Sequence, residues 1–307
     1  MERWGTTKAG TPRFYCKYCK ISTTPQRDDV EHRHSLHQLE EWLSGKDSLS
    51  QIAEEEHKTR QALWKEFHPL ISTIHEPEIP PGTKVKTLIL DGTYIHGHTL
   101  CALVAIDENN KLYWQFAPYE SYKYWCEFLY HFDAPEVVVM DGQKGLFAAA
   151  KALWPKVAIQ RCQFHVVSFA IQYLGRKPKD QASKDLLNIL YTLKDAKTKD
   201  KKDEWLLLYN MWEQRYNPAL IGKTALGHFA HPKLRSTRLI IRRALPNLFT
   251  FLDHPGTPNT TNLVEGWVNG AVAEALRLHR GLRVHEKKAL ATIVLSHLKR
   301  GNTENTA

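Results

Sequence analysis

Val85-Lys-Thr-Leu-Ile-Leu-Asp91-Gly92 and Val137-Val-Val-Met-Asp141-Gly142 are two apolar runs of strand length, each closing on an aspartate and a glycine. Short aliphatic runs bounded by turn formers predict buried strands. A glutamate stands far downstream in Asn262-Leu-Val-Glu265. Each carboxylate also has a plain local explanation. Asp-Gly after a strand is ordinarily a turn, because Asp bonds its own backbone and Gly accepts positive φ. Asn262 with Glu265 three residues on has the spacing of a helix-capping pair. Brought together, the three carboxylates suit a hard cation: magnesium takes oxygen ligands, keeps several waters and is held by a few carboxylates plus substrate phosphates. Two such ions close together can activate an attacking hydroxyl and stabilise the leaving oxygen of an in-line displacement.

Outward from these runs, His98-Thr-Leu-Cys-Ala-Leu-Val-Ala-Ile-Asp107 and Lys111-Leu-Tyr-Trp-Gln-Phe116 read as two more strands around the turn Glu108-Asn-Asn110. With the first run they predict an antiparallel meander. Ser121 to His131 carries Tyr124, Trp125, Phe128 and Leu129 at helical spacing, Gly145 to Trp154 reads as a second helix, and Lys156 to Arg161 as a last strand. The order is β-β-β-α-β-α-β. Helical crossovers return the later strands parallel beside the first, which brings the C-terminal ends of strands one and four together, and Asp91 near Asp141. The predicted fold class is therefore α/β, a mixed sheet of three antiparallel strands then two parallel over residues 84–165, resembling the order of ribonuclease H.

Residues 166–255 are basic and helical in period, with Leu187, Leu190, Leu193, Trp205, Leu208 and Trp212 as apolar faces, and predict a helical insertion. Within it Arg235, Arg238, Arg242 and Arg243 read either as a solvated face or as a phosphate track. Residues 256–300 predict a closing helical region whose stripe runs Val264, Val268, Ala271, Ala275, Leu278, with Glu265 one step off it. Arg280, in the cationic end of that helix, suits the dipole and is a further candidate DNA contact.

The chain has 307 residues, 42 Lys plus Arg against 33 Asp plus Glu, a formal charge of +9 and a pI near 9.2. Such a balance points to a polyanionic partner, nucleic acid first. No run of about eighteen apolar residues predicts a membrane span, and the start shows no signal-peptide pattern. Five cysteines, an odd count, do not make a disulfide framework and point to a reducing interior.

The front end reads Trp4-Gly-Thr-Thr-Lys-Ala-Gly-Thr-Pro-Arg13-Phe-Tyr-Cys16-Lys-Tyr-Cys19. Cys16 and Cys19 have the spacing of half a zinc site, and His32, His34 and His37 are candidates to complete it; two free thiols are the alternative. From Glu31, Leu36, Leu39, Trp42 and Leu43 mark a helix, followed by a short second one over Leu49 to Glu56 and a third from Arg60 to Phe67. Three short helices with a tight turn before a polar third predict a helix-turn-helix over residues 31–75, with Arg60, Gln61 and Lys65 on the helix that enters the groove; an ordinary three-helix cap is the alternative. Ile74-His-Glu-Pro-Glu-Ile-Pro-Pro-Gly82 marks the boundary to the next domain.

Asp91-Gly-Thr-Tyr, Met140-Asp141-Gly-Gln-Lys-Gly145, Gln160-Arg-Cys162-Gln-Phe-His165, Asn262-Leu-Val-Glu265-Gly and His279-Arg-Gly281 together, from about Val85 to Arg283, resemble bacterial insertion-sequence transposases of the Mutator group. The front end, residues 1–30, resembles the zinc ribbon of some members, although no earlier cysteine pair precedes Trp4-Gly5 here. The resemblance implies a DDE transposase acting on double-stranded DNA, element ends and target alike, as a homo-oligomer. It implies Asp91, Asp141 and Glu265 as the ligands of Mg2+ or Mn2+, a C-x-x-H element at Cys162 and His165 in support, Zn2+ at the N-terminus, and a cytoplasmic, nucleoid-associated setting. A catalytically inactive DNA-binding descendant and a ribonuclease H-like nuclease or resolvase are the alternatives.

Overall fold

The computed structural model describes residues 1–24 and 28–304, with side chains described for 1–24 and 32–299. The ribbon-like segment expected over residues 1–30 thus falls partly outside the described residues. The chain divides into two compact units, Met1–His75 and Glu76–Ala307.

In the first unit, β1 (Glu2–Thr6), β2 (Pro12–Tyr15) and β3 (Ser22–Thr23) form a small antiparallel sheet in that order. The sequence carries little signal for it, because the strands are short and mostly exposed and so lack the apolar alternation that marks a half-buried strand. Three helices follow, α1 (Asp28–Ser44), α2 (Leu49–Glu55) and α3 (Arg60–Ile71). Leu39, Trp42, Leu43, Ala53, Leu63, Phe67 and Leu70 are buried, so the spacing of three and four does set their inward faces. Ser48 and Gln51 form a reciprocal capping box at the start of α2, and Thr59 caps α3. Each cap is worth about 1 kcal/mol. His57 takes a positive φ of 52° in the turn between them.

The second unit is built on a five-stranded mixed sheet in the order β6-β5-β4-β7-β8. Its strands are β4 (Thr87–His96), β5 (Leu100–Asp107), β6 (Leu112–Ala117), β7 (Val137–Met140) and β8 (Ala158–Arg161). β4, β5 and β6 run antiparallel, while β7 and β8 lie parallel to β4. The strand directions are those the element order predicts. All eight residues of β5 are buried, as its unbroken apolar run requires of a strand covered on both faces.

Alternate residues of β4 serve two different layers. Leu88 and Leu90, with Leu103, Val138 and Met140, face α4 (Tyr122–Leu129) and α5 (Lys144–Leu153), whose Trp125, Phe128, Leu146 and Ala150 fill that core. The opposite face is covered by a closing helical region. It runs through a π-helical turn (Val264–Asn269), α10 (Gly270–Leu278) and α11 (Val284–Glu304).

One strand departs from the expected pattern. The first apolar run does not end at Asp91: β4 continues five residues further, and Asp91 and Gly92 both pair with β5, opposite Val104 and Leu103. Asp-Gly is here not a turn, because antiparallel pairing with the long β5 sustains the strand after its parallel neighbour β7 has stopped.

The segment expected as an insertion forms α6 (Gln163–Leu174), α7 (Gln181–Tyr191), α8 (Lys199–Ile221) and α9 (Pro232–Ala244) around a second core. Trp205, Tyr209 and Trp212 stack in sequence along α8, and the indoles donate to the carbonyls of Ile189 and Ala182. Leu208, expected in this face, is exposed instead, since the ring stack selects positions 205, 209 and 212. This body is tied to the sheet by hydrogen bonds to β8. Gln160, fully buried, donates to the Leu248 carbonyl (3.0 Å) and accepts from the Phe251 N–H (2.9 Å), and the Thr250 hydroxyl donates to the Ile159 carbonyl (2.7 Å). No helix among the described residues is long and apolar enough to cross a membrane.

Candidate active site

Leu90 of β4 pairs with Met140 of β7, so Asp91 and Asp141 follow on adjacent parallel strands. Leu90 and Met140 both face the α4/α5 core, which turns the next residue of each strand toward the opposite layer. Asp91 is buried and accepts the N–H of Gly92 at 2.9 Å. Its carboxyl is pushed up to about 7, by burial first and by the charges of Asp141 and Glu265, against the pull of His165.

Asp141 does sit in a turn, accepting the Gln143 N–H at 2.7 Å. Its carbonyl is held by Arg161, whose Nη2 donates at 2.7 Å. Gly142 has φ +89°, and a Cβ there would lie 1.7–2.1 Å from the Arg161 guanidinium. Only glycine leaves room for that cation against the turn.

Glu265 arrives from the layer above the sheet. Val264, Val268 and Val272 are buried against it, each contributing on the order of 2 kcal/mol. The expected stripe shifts here, with Val272 replacing Ala271 and Leu278 exposed, because a π-helical turn inserts one extra residue of register between Val264 and Asn269. Asn269 is hydrogen-bonded to Thr93, which shares the Asp91 face of β4. Glu265, one turn before Asn269, is thereby carried to the Asp91 side of the sheet. The capping explanation for Asn262 does not describe this start: Asn262 is exposed, and the Thr261 carbonyl accepts the N–H groups of Val264 and Glu265.

A fourth carboxylate, Glu120, joins the three. It precedes α4, and a Cβ on Gly92 would stand 2.3–2.6 Å from its carboxylate atoms. Gly92 is therefore the gap through which Glu120 reaches the site. Its carboxyl is pushed up to about 7, by burial first and then by Asp141 and Asp91. No sequence pattern flags it, since Tyr119-Glu120-Ser121 reads as a loop before a helix cap; the only hint was a glycine inside an apolar strand, which marks close approach of another group.

Cys162 and His165 sit at the start of α6 and meet the Glu265 segment. His165 Nδ1 is 3.4 Å from Glu265 Oε1, and one donor atom each from Cys162, His165 and Glu265 lies within 4.8 Å of the others. Thr261 bonds to all three. Burial opposes protonation of His165, yet its hydrogen bond to Cys162 and the charges of Cys162, Glu265 and Asp141 raise it to about 9. Among the described residues the cluster thus sets four carboxylates against the His165 and Arg161 cations. Among the described residues the close three-ligand group that includes Glu265 is formed with Cys162 and His165, while Asp91, Asp141 and Glu120 meet it through their charges.

Residues 97–222 match the family model of the Mutator family of transposases. The Mutator match takes in Asp141, Cys162, His165, Glu120 and the helical body through α8, while Asp91 and Glu265 lie outside it. No curated protein matches the chain.

The expected DNA-contacting residues fall into two groups. Arg60, Gln61 and Lys65 are exposed on α3, with Gln61 and Lys65 one turn apart. Arg235, Arg242, Arg243 and Arg280 are exposed as well, but two arginines of α9 are already engaged. Arg238 Nε donates to Glu213 Oε1 at 2.9 Å and its Nη2 to Asn217, and Arg242 binds the same glutamate through Nε (2.8 Å) and Nη2 (2.7 Å). Arg235 lies 3.7 Å over the Phe229 ring. Desolvation alone would raise Glu213, but Arg242, Arg238 and the Tyr209 hydroxyl hold it at about 2, against an ordinary 4.5. A depressed carboxyl contributes stability above its ordinary value and loses it as pH falls toward 2. Glu213→Gln is expected to lower unfolding stability by about 2 kcal/mol near neutral pH, with the gap closing on acidification below pH 4; urea melts across that range measure it.

At the other end, Cys16 accepts the Cys19 and Tyr18 N–H groups, and these bonds with the Cys19 thiol hold its pKa below the ordinary value. His32, His34 and His37 lie exposed along α1, and among the described residues none joins Cys16 and Cys19 in a three-ligand group.

Proposed function

We propose that the chain is a DNA transposase of the Mutator family, with a ribonuclease H-like catalytic unit and a helix-turn-helix reader, that cuts DNA at element ends and joins the freed 3′ hydroxyls to target phosphates. The observation that carries this reading is the pairing of Leu90 with Met140, from which Asp91 and Asp141 follow on neighbouring strands. The match over residues 97–222 supports it from a different direction. Asp91, Asp141 and Glu265, with Glu120 beside them, would hold Mg2+ or Mn2+. When bound, such ions lower the pKa of the attacking hydroxyl and offset charge on the scissile phosphate.

The protein's own groups do the rest. Asp91, which interacts through its charge with Asp141, Glu265 and Glu120, would be one of the residues that hold the metal. Arg161 and Gly142 fix the Asp141 turn, and the His165 cation holds Glu265 against repulsion from the other acids. No separate general base is required. Exposed Arg60, Gln61 and Lys65 on α3 are proposed to read base edges in the major groove, and Arg235, Arg243 and Arg280 to hold phosphates. Holding two ends together calls for more than one copy on the DNA, in a nucleoid setting.

Incubation with duplex DNA bearing the flanking terminal repeats and Mg2+ tests the reading. Nicked ends and joined products are expected. Cleavage without joining would instead indicate a nuclease or resolvase, and binding without cleavage an inactive descendant. Metal binding has its own signature: Mn2+ at about 100 times its dissociation constant adds roughly 2.7 kcal/mol to stability, a rise of about 5–10 °C in Tm for a unit of this size. A flat Tm across the Mn2+ titration counts against the metal site.

A further inference from the structure

We propose that Thr261 is a positioning residue, the pivot of a clasp in which Cys162 and His165 aim Glu265 at the two aspartates. The inference rests on the reading of Glu265 as a ligand and adds how it is held.

Glu265 by itself is poorly constrained. It is partly exposed, the residue after it is glycine with nothing within 4 Å of a would-be Cβ, and it lies in a π-helical turn. Thr261, by contrast, is fully buried. Its N–H donates to Cys162 Sγ at 3.2 Å, and its carbonyl accepts Val264 and Glu265, so its backbone both docks on α6 and starts the helix. Its hydroxyl lies 3.0 Å from Glu265 Oε1, 3.3 Å from His165 Nδ1 and 3.3 Å from Cys162 Sγ. A hydroxyl has one proton and two lone pairs. The hydroxyl can donate to the Glu265 carboxylate or to the Cys162 sulfur, and it meets His165 Nδ1 as well. One buried hydroxyl thus stands within hydrogen-bond distance of Glu265, His165 and Cys162 together.

The clasp is anchored at the strand that ends in Asp141. The Cys162 N–H donates to the Met140 carbonyl at 2.8 Å, one residue before Asp141. Gln163 and Asn259 reinforce the same junction, through Gln163 N–H to the Asn259 carbonyl (3.0 Å) and Asn259 Nδ2 to Gln163 Oε1 (2.8 Å). A continuous path therefore runs from Met140 through Cys162 and Thr261 to Glu265, and its one long step, from Cys162 to Thr261, spans 99 residues of sequence. The Cys-x-x-His element thereby acquires a role, in which thiol and imidazole orient a ligand rather than bind the ion.

The test uses the full chain with Thr261→Val, which keeps the shape and removes the hydroxyl, and Thr261→Ser, which restores it. Mn2+ alone is the probe, titrated by electron paramagnetic resonance. Expected are a 10- to 100-fold weaker Mn2+ affinity for Thr261→Val, the scale for losing a partner of a metal ligand, a fall in kcat at unchanged KM for DNA, and recovery of both in Thr261→Ser. Wild-type affinity and kcat in Thr261→Val overturn the clasp. If Thr261→Val does not fold, Cys162→Ala loosens the backbone half and carries the same expectation and the same overturning result. A wild-type chain that takes up no Mn2+ fails the metal reading, not the clasp. The crystal structure of metal-free Thr261→Val then decides: a Glu265 side chain swung outward supports the clasp, and an unchanged one overturns it.

Discussion

Asp91→Asn is expected to abolish strand cleavage, to leave binding to element-end DNA intact, and to make the metal-free protein more stable at pH 8. The first effect follows from removing the charge at the centre of the cluster: several kcal/mol of ion-dependent stabilisation, or about three orders of magnitude in rate, is at stake. The second follows because the substitution touches neither α3 nor the arginines proposed to hold phosphates. The third follows from linkage. Burial raises the Asp91 carboxyl to about 7, so the folded state binds its proton more tightly than the unfolded state does. Wild-type stability from this group is complete below the ordinary carboxyl value and is lost as pH rises through 7. Asparagine has no charge to bury, so its advantage grows over the same interval. Cleavage assays, gel shifts and thermal melts at pH 5 and pH 8 make the comparison. A variant that cuts at the wild-type rate removes Asp91 from the chemistry, and one less stable than wild type at pH 8 contradicts the electrostatic account.

Glu120→Gln is expected to weaken Mn2+ binding 10- to 100-fold and to depress cleavage in step, and Gly92→Ala is expected to reproduce both losses. The link is geometric. A methyl group on residue 92 would lie 2.3–2.6 Å from the Glu120 carboxylate, and the mobile end of a side chain yields more easily than the strand does. Gly92→Ala therefore displaces Glu120 instead of unfolding β4. Because both substitutions remove one interaction, the double variant is expected to be no worse than either alone, whereas independent sites would add. Isothermal titration with Mn2+ on the three variants reads the cycle. Additive losses, or a Glu120→Gln variant with wild-type affinity, would show that Glu120 merely fills space beside the site.

Much of the second unit is legible in the linear pattern because its strands are mostly buried. The apolar runs ending near Asp91 and Asp141, the fully buried β5 and the helices with Trp125 and Phe128 or Leu146 and Ala150 inward announce themselves by composition and period. The same period misleads where helix geometry changes. The π-helical turn rotates Val272 into the core in place of Ala271, and the ring stack on α8 passes over Leu208. The three short strands at the N-terminus went unread because exposed strands have no apolar alternation.

The polar contacts divide in the same way. Residue order alone determined that Asp91 and Asp141 would end up as neighbours, since two apolar runs separated by a helical crossover pair in parallel. It also determined the three-helix front end, through the spacing of Leu36, Leu39, Trp42 and Leu43. Only the tertiary structure decided that Glu120 enters over Gly92, that Thr261 bridges Cys162, His165 and Glu265, and that Arg238 and Arg242 bind Glu213. Hydrophobic periodicity is a local property and survives in one dimension. Which charged groups meet depends on the faces that distant elements turn toward one another, and that is settled only when the layers pack.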